Sequence, residues 1–208
     1  MPRYLTEQDI ADFRAELCRV ATERFARFGY EGVTMRQLAE ALGCSPKTPY
    51  RYLKDKADIL ATVRAEAFAR FADTLEAAAA GAAEGPLDSA RRVGDAYLRF
   101  ADEHPHAYRI MFEIDQPIGD EHPELMRESK RARTFVTRQA EDMVKAGLID
   151  ADPLLFGWST WAAIHGLVML KQAGMLDHGP DIRTLAGYQG ALMFKGALAA
   201  AGKKGGKR

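Results

Sequence analysis

The chain has 208 residues, of which 47% are hydrophobic and 28% are charged, and its formal net charge is zero. This length and composition predict an ordinary globular protein with a sizeable hydrophobic core and exclude a disordered or fibrous chain. Because the net charge is zero, the chain as a whole gives no support for nucleic-acid binding, and any such function must rest on local charge.

The first predicted helix spans Thr6–Phe28. Thr6, with Asp9 three positions later, resembles a capping box. Apolar residues then recur every three or four positions until Gly29, a C-cap residue. The preceding residues lack the apolar segment of a signal peptide, so we expect a cytoplasmic protein. Cys18 and Cys44 have no metal or redox spacing, and we expect both to be reduced thiols.

The segment Thr34–Leu60 predicts a helix-turn-helix. Thr34 is an N-cap residue followed by apolar residues at helical spacing, and Gly43 ends that short helix. Ser45 and Pro46 then favour the start of a second helix, since serine caps helices well and proline suits the first helical position. Two short helices with a tight turn between them, the second basic and aromatic, are typical of proteins that read the DNA major groove.

This second helix has a local positive charge and one unusual residue. From Gly43 to Lys56, four basic residues stand against one acidic residue. Pro49 falls inside the helix, where a proline costs ~3 kcal/mol. If the helix begins at Pro46, however, Pro49 is still in the first turn, where a missing N–H has no intrahelical partner. We therefore expect a short, sharply started recognition helix.

The next predicted helix spans Lys56–Ala80 and is long enough to act as a rigid connector. The sequence GAAEGP at 81–86 then interrupts the helical pattern. These features predict a helix-turn-helix DNA-binding domain at residues 1–56 and a helical regulatory, ligand-binding and dimerisation domain at 57–202. The Gly- and Lys-rich end, residues 203–208, is predicted to be a disordered basic tail.

The remainder is predicted to be helical throughout, because no segment alternates apolar and polar residues as a strand does. The fold class is therefore all-α, with about nine helices: a three-helix head with a helix-turn-helix, followed by a larger bundle. The longest apolar run, Trp158–Leu170, is interrupted by polar and small residues and is shorter than the ~18 residues of a membrane span, so we expect a buried helix. The remaining helices are expected at Leu87–Glu103, Pro105–Glu113, Pro123–Lys145, Pro153–Gln172 and Ile182–Ala201.

Several segments together resemble the TetR family of transcriptional regulators, over roughly residues 17–60. The C-terminal part resembles one subgroup of that family, which has a Trp-His-Gly signature that corresponds here to Trp161, His165 and Gly166. The chain departs from the family pattern at Pro49, where the family usually has an aliphatic residue. The segments that carry the resemblance are Phe25–Tyr30, Thr34–Ala39, Leu42–Ser45, Pro49–Leu53, and Lys56 with Ile59 and Leu60.

A head of this kind would be positioned on DNA by phosphate contacts and would read sequence through base contacts. Among the side chains of the second short helix, Arg51 suits a guanine. The resemblance implies a phosphate contact for Lys56. Arg36 has two open interpretations, a phosphate contact or a salt bridge with Glu40. The expected DNA-contacting residues are Thr34, Arg36, Lys47, Thr48, Tyr50, Arg51, Tyr52 and Lys56.

One head covers too few base pairs for useful specificity, so we expect a homodimer on a palindromic operator of double-stranded DNA. Small residues on the last two helices would let four helices approach closely, although the same faces can instead pack within one subunit. The predicted interface residues are Ala162, Ala163, Gly166, Leu170, Gly187, Gly190, Ala191 and Phe194, with Leu167 and Leu192 beside them.

The middle helices hold many aromatic and methionine side chains, and helical bundles place ligand sites between helices. Trp161 and His165 are four residues apart and share a helix face, so with Tyr108 they can form the polar end of an apolar pocket. Core packing is the alternative for each of these residues, and the resemblance is what implies a pocket. The predicted pocket residues are Tyr97, Phe100, Tyr108, Met111, Phe112, Phe135, Trp158, Trp161 and His165.

The resemblance implies a ligand-responsive regulator, and we expect a repressor that a small, mostly apolar effector releases from DNA. We expect no cofactor and no membrane. The strings Asp102–His106 and Asp120–Glu124 contain metal-ligand residue types, but both also flank a proline that starts a helix, so we expect no metal.

Two alternative functions stay open. One is a helical small-molecule-binding protein or enzyme with a vestigial DNA-binding head, and the other is a protein-interaction module. No catalytic arrangement of residues stands out, and we expect no enzyme.

Overall fold

The structure is a computed structural model that describes residues 6–81, 85–112 and 121–204, with side chains to residue 198. All regular structure in these ranges is helical: eight α-helices and one short 3-10 helix, which confirms the all-α class. The helices are α1 (Glu7–Phe28), α2 (Met35–Ala41), α3 (Lys56–Ala80), α4 (Pro86–Glu103), α5 (Pro105–Phe112), α6 (Pro123–Lys145), α7 (Pro153–Gln172) and α8 (Ile182–Lys204), with the 3-10 helix at Pro49–Arg51 between α2 and α3.

Local sequence signals fix where these helices begin and end. Thr6 and Thr34 each form a complete capping box, in which the threonine hydroxyl accepts from a backbone N–H in the first turn. Asp152 caps α7 by accepting from the backbone N–H of Leu155 at 2.9 Å. Gly29 ends α1 with φ at +70°, a value that favours glycine. The capping predictions for Thr6, Thr34 and Gly29 are confirmed.

The chain forms two compact units. The first unit consists of Met1–Arg70 and His104–Lys130, and the second consists of Phe71–Glu103 and Arg131–Arg208. Helices α3 and α6 each contribute residues to both units. The predicted domain boundary after residue 56 is a division by function, and it stays a prediction.

In the first unit, α1 packs against α2 and α5, and α2 packs against the 3-10 helix. Its buried side chains come from every one of these elements and from the start of α3. Such a core, built from three or more short elements, holds the α2 region on an apolar support. The largest of the buried residues include Leu17, Phe25, Val33, Leu38, Pro49, Ile59 and Tyr108.

In the second unit, α7 packs against α8 and α4. A Cβ added at Gly157 on α7 would lie 3.1 Å from the backbone oxygen of Val136 on α6, so glycine is what lets these two helices approach so closely. On α6, Arg131 forms salt bridges with Asp73 and Glu76 of α3, at 2.7 and 2.6 Å. The second unit is thus a helical bundle in which α7 contacts helices on more than one side.

The expectation of a short recognition α-helix is wrong. The chain makes a turn at residues 46–48, followed only by the 3-10 helix. In an α-helix capped by Ser45, the Ser45 carbonyl would accept from the N–H of the fourth helical residue, which is Pro49 and has none. The Ser45 carbonyl accepts instead from Thr48 N–H at 2.9 Å, the three-residue spacing of a 3-10 turn.

The expectation that Trp158–Leu170 forms a buried helix is also wrong for the single chain. Helix α7 is long and apolar enough to cross a membrane by length and composition, yet only 17% of its most apolar stretch is buried. Apolar side chains lie on its outer side as well as on the side packed against α4 and α8, and Leu155 is 68% exposed. A helix that is apolar all round normally has its second face covered too.

Helix α8 extends to Lys204, three residues beyond its predicted end at Ala201. It therefore includes the first residues of the predicted disordered tail. Residues 205–208 lie outside the described part of the chain.

A substitution of Pro49 tests why the recognition α-helix is absent. We expect Pro49→Val to supply the missing N–H to Ser45, so that residues 46–52 become helical. NMR Cα chemical shifts of this segment would move to helical values. The control is Pro46→Val, at a position whose N–H has no intrahelical partner, and it should leave the shifts non-helical. Non-helical shifts in Pro49→Val, or equal changes in both variants, would contradict this explanation.

Candidate DNA-binding surface and ligand cavity

One contact closes the predicted DNA-binding segment by joining its two ends, at Tyr30 and Lys56. Lys56 Nζ donates a hydrogen bond to the backbone oxygen of Tyr30 at 3.0 Å and lies 3.9 Å from the centre of the Tyr30 ring. Glu31 Oε2 lies 3.8 Å from the same ammonium group. Residue 30 precedes α2 and residue 56 begins α3, so the contact joins the two ends of the segment that contains α2 and the 3-10 helix.

Within this closed segment, apolar and basic side chains separate. Pro49 and Leu53 are buried, whereas Lys47, Arg51 and Lys54 are exposed. This separation follows from the short turn-and-3-10 backbone, which turns the proline inward and leaves the basic residues on the surface. The result is an exposed cationic surface, defined here as Lys47, Tyr50, Arg51 and Lys54.

The aromatic residues of the segment take different positions. Tyr50 is 53% exposed. Tyr52 is half-buried and stacks on Phe13 of α1, with ring centres 4.4 Å apart, so its ring helps to seat the segment on α1. Thr48 is half-buried, and its hydroxyl shares a hydrogen bond of 3.0 Å with Ser45.

The remaining predicted DNA-contacting residues make local contacts. Thr34 is exposed, and its hydroxyl caps α2 through Gln37. Arg36 is exposed and forms the salt bridge to Glu40, with Nε and Oε1 2.9 Å apart. An exposed ion pair of this kind contributes little to stability and leaves the guanidinium able to exchange partners. Lys56 differs, because its side chain is only 22% exposed and is held by the Tyr30 contact.

The second unit contains a cavity of about 100 Å³. Four helices form its lining, and every described side chain that lines it is apolar, aromatic or neutral polar. The lining residues are Leu75 of α3; Ala90, Val93, Gly94 and Tyr97 of α4; Val136, Gln139, Ala140 and Met143 of α6; and Phe156, Gly157, Thr160, Trp161 and Ile164 of α7.

Three polar side chains meet at the wall of this cavity. Trp161 Nε1–H donates to the Tyr97 hydroxyl at 3.1 Å, and that hydroxyl lies 3.4 Å from His165 Nδ1. Because indole is a donor only, Tyr97 accepts from Trp161 and can give its own proton to His165. Burial lowers the pKa of His165, which favours the neutral ring that accepts this proton.

The structure places the predicted pocket residues in both units. Tyr97 and Trp161 line the cavity, and His165 contacts Tyr97 beside it. Phe100 and Phe135 are buried in the second unit without being among the lining residues, and Trp158 is 47% exposed. The other three, Tyr108, Met111 and Phe112, belong to the first unit, where Phe112 packs against Tyr108 and Phe68.

The outer side of α7 and α8 forms an exposed apolar face. The term refers to the large exposed apolar side chains of these helices and their connecting turn, which are Leu154, Leu155, Trp158, Leu170, Met175, Tyr188, Leu192 and Leu198. Contiguous exposed apolar residues on this scale mark an interaction surface.

The predicted interface residues divide between this face and the interior. Leu170, Ala162, Gly187, Gly190 and Ala191 are exposed. A Cβ added at Gly166, Gly187 or Gly190 would meet no atom of the described residues within 4 Å, so these positions are open to a close neighbour. The inner members are Ala163, which is half-buried, Leu167, which is buried, and Phe194, which packs against the cluster of Met143, Ile149 and Ala197.

Sequence reasoning missed several residues that build these sites. Tyr30 belongs to the segment Phe25–Tyr30 that carries the resemblance, but no contact was predicted for it, although its position beside the end of α1 is a signal for a packing role. Gly94 and Ile164 line the cavity and carry no polar or aromatic signal that would single them out.

Cys18 is buried, and burial raises the pKa of its thiol to about 12, in keeping with an unreactive thiol.

Two protein-family models match the chain. The model described as bacterial regulatory proteins, tetR family, matches residues 17–63. The model described as tetracyclin repressor-like, C-terminal domain, matches residues 90–189. The two matches follow one another along the chain and do not overlap.

Known proteins and structures show the same relationship. An uncharacterized HTH-type transcriptional regulator of Mycobacterium tuberculosis is 27% identical over 156 residues, which cover 73% of this chain and 66% of that protein, just under two thirds of its length. A protein of unknown function from Rhodococcus sp. RHA1 has a TM-score of 0.78 at 22% identity, covering 95% of this chain and 98% of that one. The regulator FadR of Bacillus subtilis in complex with stearoyl-CoA has a TM-score of 0.73 at 19% identity, covering 88% and 98%.

The structural likeness extends along 95% of the chain for the Rhodococcus protein of unknown function and along 88% for a bacterial regulatory protein of the tetR family from Rhodococcus RHA1. The family matches cover both the α2 region with its cationic surface and the helices that line the cavity. The chain belongs to the TetR family of bacterial regulatory proteins.

Proposed function

We propose that this protein is a homodimeric transcriptional regulator that binds a palindromic operator through its cationic surface and is released by a small apolar effector. The observation that carries the proposal is the closed segment between Tyr30 and Lys56, which presents exposed basic side chains from a backbone anchored by buried Pro49 and Leu53. Exposed cations favour phosphate binding, and base reading requires that their backbone be held in place. The protein would act in the cytoplasm, and we assign it no catalytic role.

The contacts with DNA would divide between phosphates and bases. Arg51 and Lys47 are exposed on the segment and can reach base edges, with Arg51 suited to a guanine. Tyr50 can donate its exposed hydroxyl to a phosphate. Thr34 and Lys56 would act mainly by positioning, because the first caps α2 and the second closes the segment. Arg36 can leave its exposed pair with Glu40 to contact a phosphate.

Dimerisation would cover the exposed apolar face of α7 and α8. Leaving Leu155, Trp158 and Leu192 in water has a large free-energy cost, and a second copy of the same face would bury them. The open positions at Gly187 and Gly190 would let the helices of the two subunits approach closely. A two-fold dimer also gives the two heads that a palindromic operator needs.

The second unit would be the effector domain. We assign it to the Trp-His-Gly subgroup, supported by the way Trp161 and His165 converge on the Tyr97 hydroxyl. Leu75 of α3 lines the cavity, and the same continuous helix begins at Lys56, so an effector that shifts α3 would act on the closed segment. We propose that the effector binds the DNA-free arrangement better and so weakens operator binding. A gel shift in which an effector strengthens binding would contradict that direction.

Removing one cation from the cationic surface tests the DNA-binding proposal. We expect Arg51→Ala to lower operator affinity by about tenfold or more, the worth of a good bidentate base contact, and to relax sequence preference. Fluorescence anisotropy with the DNA upstream of the gene would measure this. The matched control is Arg19→Ala, which removes an exposed arginine from α1 and should keep the affinity of the native chain. Equal affinities for the two variants would argue against the assigned surface.

A charge placed on the exposed apolar face tests the dimer. We expect Leu192→Glu to raise the dimer dissociation constant by about 100-fold or more, because a carboxylate would be buried without a partner. Sedimentation velocity over a concentration series would measure it. Thr184→Glu adds the same charge in the first turn of α8, where acidic residues are favoured, and should leave the dimer intact. A dimeric Leu192→Glu protein would contradict this interface.

The lowered pKa of His165 predicts an acid-dependent loss of stability. In the folded protein this pKa lies below the value of 6.5 for an unperturbed histidine, so below about pH 6.5 the unfolded chain binds more protons and folding is weakened. We expect the melting temperature of His165→Gln to fall less than that of the native chain between pH 7 and pH 5. His178→Gln, at an exposed histidine, should follow the native chain. An identical acid loss in His165→Gln would refute the assignment.

A further inference from the structure

The second-unit cavity offers no ion-pair partner for a charge, because none of the described residues that line it is charged. Two of its polar groups are also engaged with other protein groups: Gln139 Oε1 accepts from Ser89, and the Thr160 hydroxyl donates to the backbone oxygen of Phe156. Tyr97 accepts from Trp161. An ionised ligand group buried here would lose its hydration without an ion pair to replace it, which carries a large free-energy cost.

The size of the cavity limits its occupant. Apolar protein cavities of about 150 Å³ hold a single benzene ring. This cavity of about 100 Å³ is smaller than that, so an occupant of about one ring would fill it, and a long acyl chain would have to extend beyond it. Trp161 and Phe156 supply aromatic surface to such a ring, and Val93 and Ile164 supply aliphatic surface.

A glycine on α4 creates much of this room. Gly94 lies in the interior of the helix, where glycine is less favourable than alanine by roughly 1 kcal/mol. A Cβ added there would meet only Ile164 Cδ1, at 4.0 Å, which is an ordinary contact. Packing therefore does not require glycine at this position, in contrast to Gly157, where the backbone of α6 leaves no space. The absence of a side chain at Gly94 therefore leaves space in the cavity.

We propose that this cavity binds an uncharged apolar molecule of about one ring and that Gly94 is the residue that sets its size. The proposal rests on the proposed function only in treating the second unit as the effector domain. Binding to the cavity itself does not depend on DNA.

The test compares two ring compounds of similar size with the DNA-free dimer. Toluene and benzoate differ in that a carboxylate replaces the methyl group. We expect calorimetric titration to show that toluene binds at least about 100-fold more tightly than benzoate, because the carboxylate would be buried unpaired. Equal binding of the two compounds, or no binding of toluene, would overturn the proposal.

A cavity-filling variant locates the binding. We expect Gly94→Leu to weaken toluene binding by at least about tenfold, since its side chain would occupy the space of the ring, while thermal unfolding stays cooperative. Gly94→Ala should weaken it by less, and it carries the test if the leucine variant does not fold. Unchanged toluene binding in a folded Gly94→Leu or Gly94→Ala protein would show that the ring binds elsewhere and would overturn the proposal.

These outcomes are separable from those of the proposed function. Loss of operator binding in the native chain would refute the regulator without affecting toluene binding to the cavity. Conversely, an operator complex that a different compound releases, with toluene not bound, would refute only the assignment of this effector class.

Discussion

The proposed DNA recognition depends on the contact between Lys56 and Tyr30. It joins the loop after α1 to the first residue of α3, so the chain between them is fixed at both ends. With the ends fixed, buried Pro49 determines which way the segment turns, and Lys47 and Arg51 are left on the surface. A cationic surface on a chain of zero net charge is thereby produced by a local excess of basic residues together with the backbone geometry that exposes them.

The second unit combines two surfaces on one helix. The inner side of α7 lines the cavity with Trp161 and Ile164, and its outer side exposes Leu155 and Trp158. The two tryptophan rings are neighbours, with centres 5.1 Å apart. A ring bound in the cavity would touch the residue that contacts the outer tryptophan. Ligand binding and the packing of two subunits would therefore share a side-chain contact, through which one would bias the other if the ligand binds the two arrangements with different affinity.

Much of the fold could be predicted because its signals are local. The bounds of α3, α6 and α7 follow from caps, prolines and apolar spacing within each helix, and the predicted ranges agree with the structure. The second short helix was predicted wrongly because Pro49 was counted among the first-turn residues whose N–H has no partner, whereas in a helix capped by Ser45 the N–H of residue 49 is the one that bonds to the Ser45 carbonyl. A helix-capping pattern alone does not show that such a bond is missing.

The sites were harder to predict because they depend on which elements pack together. Aromatic spacing predicts that a face is apolar, but it does not say whether that face meets another helix, a cavity or solvent. That Tyr108 and Trp161 share one pocket stays a prediction, since they belong to different units. Gly94 could not be singled out from the sequence, because its contribution to the cavity is the side chain that it lacks.

The central claim is that two copies of the cationic surface, brought together by one dimer, bind duplex DNA. Footprinting of the DNA upstream of the gene, at several salt concentrations, tests it most directly. We predict two protected half-sites related by a two-fold axis and spaced by whole turns of the helix, with protection that weakens steeply as salt rises. Absence of protection on every duplex at low salt, or a single unpaired half-site that is insensitive to salt, would contradict the account.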